Sequence, residues 1–77
     1  MNPDTFHPEV LVIDDEVQIR RLLRVTLEGA GFRVRETDGG ELGLAEAATK
    51  RPEAIILDLG LPDIDGLEVL RRVPASS

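Results

Sequence analysis

The chain of 77 residues has no cysteine, no tryptophan and no tyrosine, and holds one histidine, one methionine and two phenylalanines. Without cysteine no disulfide can staple a small fold, and a reducing cytosol is the expected compartment. Two separated rings, Phe6 and Phe32, give no platform on which bases could stack. The lone imidazole, His7, stands in a lead-in segment with two prolines and is not read as a phosphodonor or metal ligand. Basic residues are also scarce: nine Lys and Arg face fifteen Asp and Glu, a net charge of −6 that argues against nucleic-acid contact by this segment. No apolar run approaches the roughly 20 residues of a membrane span, and no signal-peptide pattern opens the chain, so a soluble cytoplasmic domain is expected. Repeats and low-complexity stretches are missing too. A single small domain of this size buries only roughly 60–65% of its unfolded surface, so its stability is marginal unless something else supports it.

What is present is an alternation of strand and helix patterns. Residues 1–8 carry no periodicity and are expected to form a flexible lead-in. Val10-Leu-Val-Ile13 is a continuous apolar, β-branched run, as in a strand covered on both faces. Ile19, Leu22, Leu23, Thr26, Leu27 and Ala30 then fall at helical spacing, with Arg20, Arg21, Arg24 and Glu28 opposite, and Gly29 and Gly31 bracket the helix end. Phe32 to Glu36 alternates apolar and charged residues like an edge strand. Asp38 reads as an N-cap with Glu41 three residues on as its capping-box partner, and Leu42, Ala45 and Ala48 as the buried stripe of the next helix. Ala54 to Leu59 is the third strand. A turn-rich loop, Gly60-Leu-Pro-Asp-Ile-Asp65, leads into a short helix from Gly66 toward Val73, stopped at Pro74. The order β-α-β-α-β-α predicts a doubly wound parallel sheet.

That topology gives the acids their meaning. Parallel strands present their carboxyl ends to one edge, and ligands bind where the strand order reverses. With right-handed crossovers, one common order sets the first strand between the second and third. Asp14 and Asp15, ending the first strand, then stand beside Asp58, ending the third. Two such charges about 4 Å apart repel by about 4 kcal/mol at an effective dielectric of ~20, and a hard divalent cation relieves this. Oxygen donors favour Mg²⁺, with the backbone carbonyl of Gly60 within reach of the same site. A phosphoryl group gripped by that cation would find Asp58 in line as a nucleophile. Competing motifs fail on spacing. Asp63-x-Asp65-Gly66 lacks the first and closing ligands of a calcium loop, and Gly39, Gly40 and Gly43 match no phosphate-binding fingerprint, which leaves them as helix-start and close-packing glycines.

Asp14-Asp15, Asp58 and the loop Leu61-Pro62-Asp63-x-Asp65-Gly66 together resemble the receiver domain of two-component response regulators. The likeness runs from Val10 through Val73. Ile55-Ile-Leu-Asp-Leu-Gly-Leu-Pro-Asp63 and Glu46-Ala-Ala-Thr49 look more narrowly like the potassium-operon (Kdp-type) regulators of that family. The resemblance implies a flavodoxin- or CheY-like α/β fold over residues 9–77, with strand order 2-1-3 and without the last two strands of a full receiver. It implies that Asp58 takes a phosphoryl group from a sensor histidine kinase. Asp15, Asp58 and the Gly60 carbonyl would hold Mg²⁺, with Asp14 acting largely through water, while Pro62 and Gly66 shape the loop. Arg20, Arg21 and Arg24 lie on the helix that docks the kinase in that family; the plainer reading is a solvated charged face.

The same resemblance marks what is expected to be missing. The hydroxyl residue and the lysine that sense the phosphoryl group fall beyond Ser77, as does the DNA-binding effector through which such a protein regulates transcription of potassium uptake. Left as a free edge, the third strand is expected to drive self-association, as is the core surface the absent helices would cover. No turnover of an external substrate is expected. The alternatives are an aspartate-nucleophile phosphohydrolase, whose usual pattern of a first-strand nucleophile and a second acid two residues later fits the run Asp14-Asp15-Glu16-Val17 poorly, and an interaction module that never carries phosphate.

Overall fold

The computed structural model describes residues 7–73. Most of the expected lead-in, Phe6 included, and the helix stop at Pro74 lie outside the described residues. The elements are β1 (Glu9–Ile13), α1 (Val17–Gly29), β2 (Arg33–Thr37), α2 (Gly40–Lys50), β3 (Ala54–Leu57) and α3 (Gly66–Arg72). The three strands form one parallel sheet in the order β2-β1-β3, as the sequence pattern predicts.

β1 is central because its apolar run has no polar face to give to water. Leu11, Val12 and Ile13 are wholly buried. Leu11 and Ile13 pack with Leu44 and Ala47 of α2, Leu61 of the loop between β3 and α3, and Val69 of α3; Ile55 and Leu57 lean on the same cluster. β2 shows the two faces through its alternation. Arg35 points to the α2 side, where it pairs with Glu9 at 2.9 Å and Glu46 at 3.4 Å. Glu36 points the other way and is held by Arg20 and Arg24 of α1. So α1 covers one face and α2 with α3 the other, as right-handed crossovers require.

Three local expectations need correction. First, α2 does not bury Leu42, Ala45 and Ala48. Its buried residues are Gly40, Gly43, Leu44 and Ala47, and Leu42 is 59% exposed. The helix is seated by its smallest residues: a Cβ on Gly43 would lie 2.8 Å from Ile13 Cγ1, and one on Gly40 2.8 Å from Val69 Cγ2. Second, α2 is not capped by Asp38. Its N-cap position is Gly39, with no side-chain cap of its own, and the Asp63 carboxylate supplies the acceptors instead, taking the Gly40 N–H at 2.9 Å and the Glu41 N–H at 3.0 Å. Third, no residue of α1 is fully buried, and Ile19 and Leu22 of the expected stripe are exposed. Two arginines read as its solvated side are instead tied to β2.

The end of α1 follows the expected pattern. Gly31 has φ +97°, the Gly31 N–H donates to Glu28 O at 3.1 Å and the Phe32 N–H to Leu27 O at 3.0 Å, the two bonds of a left-handed helix stop. A Cβ there meets nothing within 4 Å, so only the backbone conformation resists substitution. Gly31→Ala is therefore expected to destabilise by about 1 kcal/mol. In a domain this small that lowers the thermal midpoint by about 4–8 °C, measurable by circular dichroism.

Candidate functional site

The sheet register brings the acids together. Ile13 pairs with Leu57, so the next step along both strands sets Asp14 beside Asp58. The Asp58 N–H donates to Ile13 O at 2.9 Å and the Asp14 N–H to Thr37 O at 3.1 Å, so both residues continue the ladder past the last strand pair. Asp14, Asp15 and Asp58 each offer a carboxylate oxygen within 4.8 Å of the others. Asp14 and Asp58 are half-buried and Asp15 is exposed, an arrangement that fixes two acids and leaves the third facing water.

Short-range bonds hold the side chains in place. Asp14 Oδ1 accepts the Glu16 N–H at 2.8 Å, and Asp58 Oδ1 accepts the Gly60 N–H at 2.9 Å. The second bond folds the chain back over Asp58 and brings the Gly60 backbone next to it. Each carboxylate keeps further lone pairs for a cation. Three hard oxygen donors at this spacing suit Mg²⁺ in the chemistry of the donor set, and Asp14, Asp15 and Asp58 are the residues that would hold it.

The loop after β3 is anchored at both ends. Asp63 bridges to the start of α2, where the N–H groups of Glu41 and Gly40 hold its carboxyl below the usual carboxylate range. Asp65 caps α3 by accepting the Leu67 N–H at 2.9 Å. Gly66 is buried beneath the turn, its N–H donating to Leu59 O at 3.3 Å. Pro62 is exposed at the top of the loop, beside the buried Leu61.

One participant escaped the sequence reading. Arg20 Nη1 donates to the Asp14 carbonyl at 2.7 Å while its Nε donates to Glu36 Oε1 at 3.1 Å. The available signal was positional: Arg20 lies in the first turn of α1, and side chains on a helix lean toward its N-terminus, here toward residue 14. Glu36 also accepts from Arg24 Nε, and that hydrogen bond chiefly keeps the Glu36 carboxyl below its ordinary range. An open depression of about 440 Å³ is lined in part by Arg20, Glu36 and Thr37 but by none of the three aspartates. The acids stand on the sheet edge itself.

Comparison with known proteins agrees on one family. The profile of the family described as "Response regulator receiver domain" matches residues 10–77. The KDP operon transcriptional regulatory protein KdpE of Escherichia coli (strain K12) is 58% identical over 62 residues, covering 80% of this chain and 28% of that protein. The virulence factors putative positive transcription regulator BvgA of Bordetella pertussis is 47% identical over 66 residues, covering 84% of this chain and 32% of that protein. Among solved structures, the chemotaxis response regulator CheY4 of Vibrio cholerae superposes with a TM-score of 0.83 at 33% identity, covering 86% of this chain and 55% of that one. The chain thus spans less than a third of the length of these two curated relatives and a little over half of the solved receiver.

Proposed function

The chain belongs to the response regulator receiver domain family, and from that premise we propose that it is a phosphoacceptor in which Asp58 takes a phosphoryl group from a sensor histidine kinase. The observation that carries this is the convergence of Asp14, Asp15 and Asp58 at the carboxyl edge of the sheet, all within 4.8 Å. In the transfer an Asp58 oxygen forms the new bond to phosphorus as the phosphorus–nitrogen bond to the kinase imidazole breaks, and the imidazole leaves with that electron pair. Asp15, Asp58 and the Gly60 carbonyl, with Asp14 beside them, would hold Mg²⁺, which would supply charge neutralisation for the incoming phosphoryl oxygens. The chain's own part is orientation. The Gly60 N–H on Asp58 Oδ1 fixes the rotation of the carboxylate, and the β1–β3 ladder fixes its height above the sheet.

The chemistry is self-directed, so we read the protein as no enzyme toward outside substrates. Its place would be the cytoplasm, next to the kinase. The likeness to KdpE, named as a transcriptional regulator of the KDP operon, supports a role in potassium-responsive transcription exercised through a separate DNA-binding domain. Incubation with acetyl phosphate and Mg²⁺ is expected to give a stoichiometric, acid-stable and base-labile label that disappears when EDTA is added first. Sustained hydrolysis of p-nitrophenyl phosphate, with no retained label, would overturn the proposal in favour of a phosphohydrolase.

Self-association of the 77-residue chain is part of the same reading. Among the described residues β3 pairs with β1 alone, and Ile56, in register with Val12 on the sheet face toward α1, is 37% exposed, with Leu59, Leu67 and Leu70 more than half exposed nearby in sequence. An open, apolar strand edge is a template for a second copy. Sedimentation velocity is expected to show concentration-dependent dimers in the micromolar range; a compact monomer throughout that range counts against this.

A further inference from the structure

Arg20 reaches the acid trio without touching any of its carboxylates. Its side chain is only 16% exposed, and its two bonds diverge, one to the Asp14 carbonyl at 2.7 Å and one to Glu36 at 3.1 Å. The Glu36 end is itself fixed. Arg24 grips the same carboxylate and also donates to Glu28 at 2.8 Å and to Val34 O on β2 at 3.2 Å. The guanidinium is thus braced on β2 while it pulls on the loop after β1.

The bond to Asp14 O has a particular consequence. That oxygen belongs to the peptide group whose nitrogen is Asp15's own, and the group is planar. Fixing the direction of the carbonyl fixes the plane from which Asp15 departs. Asp14 is already tied at its N–H by Thr37 O and at Oδ1 by the Glu16 N–H. Asp15 is exposed, so its orientation depends on the backbone beneath it.

We propose that Arg20 is a positioning residue: through the Asp14 carbonyl it orients the Asp14–Asp15 peptide so that Asp15 faces Asp58 at the spacing a divalent cation needs. This rests on the phosphoacceptor reading for the cation, although the clamp itself exists without it. A lysine cannot replace the fork, because a single ammonium does not present two rigid donors in these two directions.

A bare electrostatic role predicts the opposite sign. Arg20 is a cation near a cation site, so removing its charge alone would tighten Mg²⁺ binding, whereas loss of positioning weakens it. Mg²⁺ affinity measured by calorimetry on the full chain is expected to fall roughly 10-fold in Arg20→Met and nearly as far in Arg20→Lys, the range seen when an outer partner of a metal ligand is lost. Without metal, amide hydrogen exchange at Asp14 and Glu16 is expected to quicken in both variants, while the Asp58 amide, bonded to Ile13 O, stays protected. Tighter or unchanged Mg²⁺ binding in Arg20→Met, or full recovery in Arg20→Lys, overturns the proposal. Arg20→Lys keeps the charge and most of the aliphatic stem, so it decides the matter if Arg20→Met does not fold. A wild-type chain that binds no Mg²⁺ would instead sink the phosphoacceptor reading. The metal-free exchange rates then still decide the clamp: unchanged rates at Asp14 and Glu16 overturn it.

Discussion

Asp58→Asn is expected to take up no phosphoryl group from acetyl phosphate and, in low salt without divalent cation, to melt above the wild-type chain. The first result follows from chemistry. A carboxamide oxygen is a poor nucleophile and cannot form the acyl phosphate, so the label should fall to background rather than by a modest factor. The second follows from charge. Asp14, Asp15 and Asp58 are brought within 4.8 Å by the sheet register, whatever the state of the site. Asn keeps the shape and still offers an Oδ1 for the Gly60 N–H, which Asp58 accepts at 2.9 Å. The substitution therefore removes repulsion without removing a bond. Water reaches Asp15 and screens the cluster, so the relief is expected near the solvent end of the Coulomb range, about 1 kcal/mol. Added Mg²⁺ should reverse the order of the two melting curves, since only the wild-type chain keeps all three donors. Equal labelling of Asp58→Asn and wild type would move the phosphoacceptor elsewhere. Such an exchange of stability for activity is common where like charges are held together for function.

The parts of this site that were legible in the sequence are those governed by short-range pattern. Val10 to Ile13 is apolar at every position, so β1 had to be central, and the alternating Arg33 to Glu36 could only be an edge. Right-handed crossovers allow one common order, β2-β1-β3, which agrees with these patterns and with the receiver resemblance, and that order sets Asp14 beside Asp58. What could not be read are contacts whose partners lie far apart along the chain. The cap of α2 sits at Asp63, more than twenty residues past the helix start, and a local capping motif made Asp38 look sufficient. A hydrophobic tally chose Leu42 as a buried residue of α2, but close approach chose Gly43, because Ile13 fills the space a side chain would take. Arg20 and Arg24 looked like a solvated face for the same reason: Glu36, which holds them, belongs to another element. Polar residues do much to bind this small fold, and polar partners leave no periodicity.

The contrast between Gly66 and Gly60 tests how far that close packing governs the site. A Cβ on Gly66 would lie 2.9 Å from Asp58 O and 3.0 Å from Leu59 C, and closer still to Leu59 Cα. These are backbone atoms, which cannot swing aside as a side chain does. Neither glycine has a positive φ, so conformational freedom does not explain Gly66; contact does. Gly66→Ala must push the Asp58–Leu59 backbone outward or lift α3 from beneath it. Overpacking of this kind costs about 1–3 kcal/mol, a large share of the roughly 4–12 kcal/mol available to a chain of this length. Because the displaced atoms carry Asp58 itself, phosphoryl uptake should fall even in molecules that stay folded. Gly60 is nearer the acids in sequence yet has room: its Cβ would meet only Asp58 Oδ1, at an ordinary 3.6 Å. Gly60→Ala keeps the backbone carbonyl and restricts the unfolded chain, so its stability should match or exceed wild type by about 0.4–1 kcal/mol. Thermal melts and acetyl phosphate labelling of the two variants side by side should therefore rank the more distant glycine as the more damaging. The reverse ranking would mean that the turn over Asp58, rather than the packing of α3 beneath it, sets the position of the phosphoacceptor.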